Sequence, residues 1–164
     1  MKDIVNAKIK FREAFRPFAP SVLVERCEDF FDLPEAAKQI PARFMLYVVP
    51  VKDDKRDVIP AITHVDGSGR LQTVVRETNP AYHRIIELFG QATGVPVVLN
   101  TSFNLKGEPI VETPRNAFNT FTRSEMDVLY LGNFVVEKAA KRALTEATPF
   151  VLRHEGDSVA AMVS

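Results

Sequence analysis

Two stretches share one start signal: "NPAYHRIIELFGQATG" (79–94) and "TPRNAFNTFTRS" (113–124). Each opens with a side chain that can accept a hydrogen bond from the first turn, Asn79 or Thr113. A proline follows at the first helical position, where its missing N–H costs nothing. Tyr82, Ile85, Ile86 and Phe89 recur at helical spacing in the first, and Ala117, Phe118 and Phe121 in the second. Gly94 suits a helix end. Between the helices lies "VPVVLN" (95–100), a short apolar strand, and "DVLYLGNFVVEK" (127–138) follows as one bent strand or two short ones. Helix, strand, helix, strand in this order restricts the chain to α/β or α+β architecture with helices packed on a twisted mixed sheet.

Upstream, "RFMLYVVPVK" (43–52) reads as a strand buried on both faces, and "KDDKRD" (52–57) as a solvated turn. "PAITHV" (60–65), "DGSG" (66–69) and "RLQTVVR" (70–76) read as strand, turn and strand, a hairpin. Residues 24–38 have mixed helical character broken near Pro34. The last twenty or so residues read as a helix and a loosely held tail. A chain of 164 residues fits one domain, here residues 1–140, with 141–164 as its C-terminal helix and tail.

The formal net charge is +0, so no global basic field draws in nucleic acid. Cys27 is the single cysteine; a disulfide framework is impossible within one chain, and Cys27 reads as a packing residue. His64, His83 and His154 are scattered, without metal-ligand spacing. With no leader, lipidation motif or long apolar run, the expected location is cytoplasmic.

Three clusters could carry chemistry. In "KIKFREAFRPFAP" (8–20), an extended chain would place Lys8, Lys10 and Arg12 on one face, with Arg16 close by. That face is either a solvated edge or an anion site. In "VVLNTSFNLKGEPIV" (97–111), Asn100, Ser102 and Asn104 alternate beyond a strand end. There they either cap a turn or face a ligand crevice. In "THVDGSGRLQTV" (63–74), His64, Asp66 and Arg70 surround a turn.

Together "NAKIKFREAFRPFAPSVL", "PAITHVDGSGRLQTV", "VPVVLNTSFNLKGEPIVETPRNAFNTF" and "MDVLYLGNF" resemble the C-terminal domain of carbamoyltransferases of the nodulation-protein and antibiotic-tailoring type. That domain is similar to the YrdC fold, a twisted α/β sheet around a positively charged cavity. The resemblance implies ligand-binding K-x-R and S-x-N motifs, matched here by Lys10-Phe11-Arg12 and Ser102-Phe103-Asn104. It makes Arg16, His64, Arg70 and Asn100 secondary nucleotide-binding candidates. It further implies that ATP and carbamoyl phosphate form carbamoyl-adenylate, with Mg²⁺ bridging phosphates. An N-terminal actin-like ATPase-type domain, on the same or a separate chain and carrying iron, would then transfer the carbamoyl group. This sequence holds no such domain. The alternative is a non-catalytic nucleotide- or RNA-binding or accessory module of the same fold.

Overall fold

The computed structural model describes residues 1–11, 13, 16–138, 151–154 and 157–159. In chain order the elements are α1 (Lys2–Val5), β1 (Ala19–Leu23), β2 (Tyr47–Pro50), β3 (Ser68–Val74), α2 (Pro80–Thr93) and β4 (Val97–Asn100). Then follow α3 (Pro114–Arg123), β5 (Val128–Leu131), β6 (Phe134–Glu137), β7 (Val151–His154) and β8 (Asp157–Val159). The chain forms two compact units. The first comprises Met1–Lys2 and Glu13–Thr101, the second Asp3–Arg12 and Ser102–Ser164.

The first unit is a four-stranded mixed sheet of order β2-β3-β1-β4. β1 runs parallel to β3 and antiparallel to β4, while β2 pairs antiparallel with β3. One face carries Leu23, Val74 and Val98, and α2 lies across these with Ile86 and Tyr82. Both ends of α2 are specified. Asn79 Oδ1 accepts from Tyr82 N at 3.2 Å, and Gly94 closes the helix at φ 79°, a left-handed conformation natural to glycine. Where α2 passes the following loop, a side chain at Gly90 would bring its Cβ within 2.7 Å of Pro96 Cβ. Glycine is therefore needed there for close approach. The buried residues of α2 are His83 and Ile86, whereas Ile85 and Phe89, expected in its apolar stripe, are exposed. His83 Nε2 lies 2.8 Å from Glu25 Oε1. Cys27 is fully buried; burial first, and then the Glu28 charge, push its thiol up to about 12. It packs, as its sequence context suggests.

Two expectations for this unit fail. Residues 60–65 form turns and no strand. Ile59 N, Ile62 N and Thr63 Oγ1 all hydrogen-bond locally, and β3 already has a strand on each side, β2 and β1. The turn expected at 66–69 closes earlier: Gly67 N donates to His64 O at 3.0 Å and Ser68 N to Asp66 Oδ1 at 3.0 Å, while Ser68 and Gly69 already belong to β3. The expected strand 43–52 shrinks to β2, because residues 40–44 coil into tight turns and Met45 sits at φ 56°. β2 is an edge strand, not doubly buried: Val48 is 60% and Leu46 71% exposed.

In the second unit, β5, β6, β7 and β8 form an antiparallel meander. β5 and β6 are two strands joined at Gly132-Asn133; Gly132 takes φ 61° at the first turn position, as a type II′ hairpin requires. α3 starts with a capping box. Thr113 Oγ1 accepts from Asn116 N, and Asn116 Oδ1 accepts from Thr113 N. Its buried Ala117 and Phe121 pack with Leu129 and Val136, and Phe103, Val111, Phe118, Met126 and Leu131 surround them. Among the C-terminal residues read as helix and tail, 151–154 and 157–159 are strands; the rest lie outside the described residues. Among the described residues, no helix is long and apolar enough to cross a membrane.

Candidate functional site

In the second unit, α1 continues into a wide turn over Asn6–Lys10, closed by Phe11 N donating to Asn6 O at 2.7 Å. The extended segment expected here is absent, so Lys8 and Lys10 do not share a strand face. Lys8 lies 3.8 Å from Glu125 at the surface. Lys10 turns inward and is only 6% exposed. Phe11, the middle residue of the K-x-R triplet, sits at φ 47°. A bulky aromatic residue is an outlier in that region, at a cost of about 1–3 kcal/mol. Arg12 lies outside the described residues.

Lys10 Nζ donates to Ser102 O (2.5 Å), Asn104 O (3.0 Å) and Asn104 Oδ1 (2.8 Å), with Ser102 Oγ at 3.3 Å. An ammonium has three protons, so four oxygens already compete for them. The loop supplying these oxygens is tied at several points. Phe103 packs into the core below, its carbonyl accepting from Val111 N at 2.9 Å. Ser102 Oγ donates to Asn104 Oδ1 at 2.7 Å, and Asn104 Nδ2 to Glu108 O at 2.9 Å. Glu108 accepts from Leu105 N at 3.3 Å and also binds Arg123 and Thr120. Burial pushes its carboxyl up, but Leu105 N, Arg123 and Thr120 together hold it below its usual range. Thus the S-x-N turn and the lysine of K-x-R form one cluster. Ser102 and Asn104 present polar groups around a buried cation.

The first unit holds a second cluster. Ser21 faces Gln72 across β1 and β3, and Ala19 faces Asn100 across β1 and β4. Adjacent strands lie about 4.8 Å apart, so Gln72 and Asn100 must meet over β1. The small residues Ala19 and Ser21 leave room for this. Gln72 Oε1 accepts from Ser21 Oγ at 2.8 Å and from Asn100 Nδ2 at 2.7 Å. The Tyr82 hydroxyl bonds Ser21; burial first raises its pKa, with the Ser21 bond opposing. Arg70, two residues before Gln72 on the same face, is exposed. His64 Nδ1 is 3.2 Å from Ser68 Oγ, which donates to Asp66 Oδ1 at 2.7 Å. His64 Nε2 is buried without a hydrogen-bond partner. Burial chiefly, then Arg70 and Lys2 against the opposing Asp66, lowers its pKa. Arg16 is exposed, with its backbone N–H bonded to Glu13 O at 3.1 Å.

The family model described as "Carbamoyltransferase C-terminus" matches residues 1–138. The chain belongs to this family. It is 49% identical over 137 residues to nodulation protein NolNO of Sinorhizobium fredii and 50% over 137 residues to nodulation protein NolO of Bradyrhizobium diazoefficiens. Each match covers 84% of the chain, but only 20% and 25% of those relatives' own lengths. An uncharacterised Synechocystis protein, sll1178, is 44% identical over 161 residues, 86% of the chain and 25% of the relative.

The S-x-N and K-x-R lysine positions therefore come together in a family member. Arg70, His64 and Asn100 belong to the first unit's sheet and its turn. Sequence reasoning placed Gln72 beside Arg70 on one strand face and Tyr82 in a helix stripe, but assigned neither of them, nor Ser21, to a site. Only the register of three strands brings them together, and the alternation of Arg70 and Gln72 was the one available signal. Among the described residues, no group of three His, Cys, Asp or Glu side chains is placed to hold a metal ion.

Proposed function

We propose that this chain is the part of a carbamoyltransferase that binds ATP and carbamoyl phosphate and forms carbamoyl-adenylate. Transfer to an acceptor belongs to a further domain of actin-like ATPase type. The family match carries the reading. Its principal support in the geometry is the grouping of Lys10 with Ser102 and Asn104 across 92 residues of sequence. The relatives are four to five times longer than the matched segment, which leaves room for such a domain.

The chemistry balances in two steps. Water cleaves carbamoyl phosphate to carbamate and phosphate. A carbamate oxygen then attacks the α-phosphorus of ATP, and pyrophosphate leaves with the electron pair of the broken P–O bond. Such transfers depend on positioning and electrostatic stabilisation, with little covalent chemistry by the protein. Lys10, saturated by loop oxygens, is a positioning residue for Ser102 and Asn104. Direct phosphate contact falls to Arg12, Arg16 and Arg70, whose guanidinium forks suit bidentate binding. Any Mg²⁺ would be held mainly by phosphate oxygens.

The test is incorporation of radiolabelled pyrophosphate into ATP by this chain, dependent on carbamoyl phosphate. Arg12→Ala and Ser102→Ala should each weaken binding of both ligands by about tenfold, the equivalent of one charge-assisted hydrogen bond. The reading fails if neither ATP nor carbamoyl phosphate binds at millimolar concentration.

A further inference from the structure

The cluster on the first unit's sheet has a fixed direction. Gln72 Nε2 lies 3.4 Å from the backbone carbonyl oxygen of Arg43. A carbonyl only accepts, so the nitrogen of the Gln72 amide must face Arg43. Reversing the amide would set two acceptors against each other. Its oxygen then points the other way and accepts from Ser21 Oγ and Asn100 Nδ2. Ser21 spends its single proton on Gln72, so the Tyr82 hydroxyl must donate to Ser21. Burial of Tyr82 keeps its phenol protonated, as that requires. The amide of Asn100 is fixed in turn. Nδ2 is engaged, and Oδ1 carries no hydrogen bond among the described residues, on a half-buried side chain at the end of β4.

We infer that Asn100 Oδ1 is a specificity-determining acceptor for an N–H group of the ligand. It is not a phosphate contact, because a phosphate oxygen facing an amide oxygen sets acceptor against acceptor. This rests on the proposed function, which supplies two such donors, the carbamoyl –NH₂ and the exocyclic amine of adenine. The shared chemistry is a neutral, planar N–H donor. Arg43 O, Gln72 and Ser21 act as positioning groups that keep the acceptor outward. A site with a committed acceptor rejects an isostere that lacks the donor, because the acceptor is then left unpaired.

Titration calorimetry of the chain with two ligand pairs tests this. Acetyl phosphate replaces the carbamoyl –NH₂ with methyl, and inosine triphosphate replaces the adenine amine with a carbonyl oxygen. In one pair the amine-bearing ligand should bind about tenfold tighter, as one net hydrogen bond allows. Asn100→Ala should bring that ratio close to one and leave the other pair's ratio unchanged. The pair that responds identifies the donor. The inference is overturned if the wild-type chain discriminates in neither pair, a result independent of how any variant folds. It is equally overturned if Asn100→Ala keeps the wild-type ratio. Should none of the four ligands bind, the proposed function fails first and this inference falls with it. Binding without preference removes the role of Asn100 alone.

Discussion

Asn100 and Ser102 stand on either side of Thr101, yet they belong to clusters built on opposite logic. Around Ser102 the centre is a cation. Lys10 is buried, and four loop oxygens converge on its ammonium, so the loop has little freedom while that charge stays in place. Around Asn100 the centre is a neutral amide. Gln72 takes two donors on one oxygen, and the direction of its dipole passes to its neighbours. The first arrangement fixes a backbone shape; the second fixes which end of a side-chain amide is engaged. Similar residue types, amides and hydroxyls, serve both purposes, and the difference lies in whether a charge sits at the middle.

The contrast can be broken at its strongest point. Lys10→Met leaves the oxygens of Ser102 and Asn104 without their donor and should cost about 3 kcal/mol, the upper range for a charged hydrogen-bonding group. Urea unfolding measures it, and an unchanged midpoint would mean that the ammonium does not hold the loop. Gln72→Leu strands the fully buried Ser21 hydroxyl and frees the Asn100 amide. The expected loss is smaller, about 2 kcal/mol, and should come with lost discrimination in the ligand pairs described above. Ser102→Ala removes an exposed hydroxyl and keeps the carbonyl that Lys10 uses, so stability should fall by only about 0.5–1 kcal/mol. Equal losses for Ser102→Ala and Lys10→Met would place the loop's support in the hydroxyl, not the charge.

The smallest effect concerns pH. The folded-state pKa of His64 is depressed below 6.5, so the unfolded chain binds more protons in the interval between the two values. Stability from this group is therefore fully present above the unfolded pKa and is lost as pH falls through the folded one. His64→Gln should flatten the rise in urea midpoint on going from acid pH toward neutrality. A slope identical to that of the unsubstituted chain would assign it to other groups.

The helices were legible in the sequence because their signals are local. Asn79-Pro80 and Thr113-Pro114 specify starts within a few residues, and the capping bonds occur where the pattern puts them. Strands depend on partners. The stretch at 60–65 has strand-like composition, but β3 had no open side left to receive it, and its backbone closed into turns. By its neighbours in sequence Lys10 reads as one of several cations on a face that is either a solvated edge or an anion site. Its burial depends on the turn at Phe11 and on a loop 92 residues away. The amide of Gln72 gained its meaning from the carbonyl of Arg43, a group common to every residue type and so silent in any motif.

β2 has a strand neighbour on one side only, and residues 30–32 cover just its far end. Along its approach Ile40, Phe44, Leu46 and Val48 stand exposed. The molecule's pI is near 6.8, so in neutral buffer electrostatic repulsion between copies is at its weakest where this greasy, half-paired margin is bare. Colloidal behaviour should follow: light scattering at high concentration rises toward neutrality and subsides in mildly alkaline buffer. Replacing Leu46 and Val48 with lysine is the corresponding remedy.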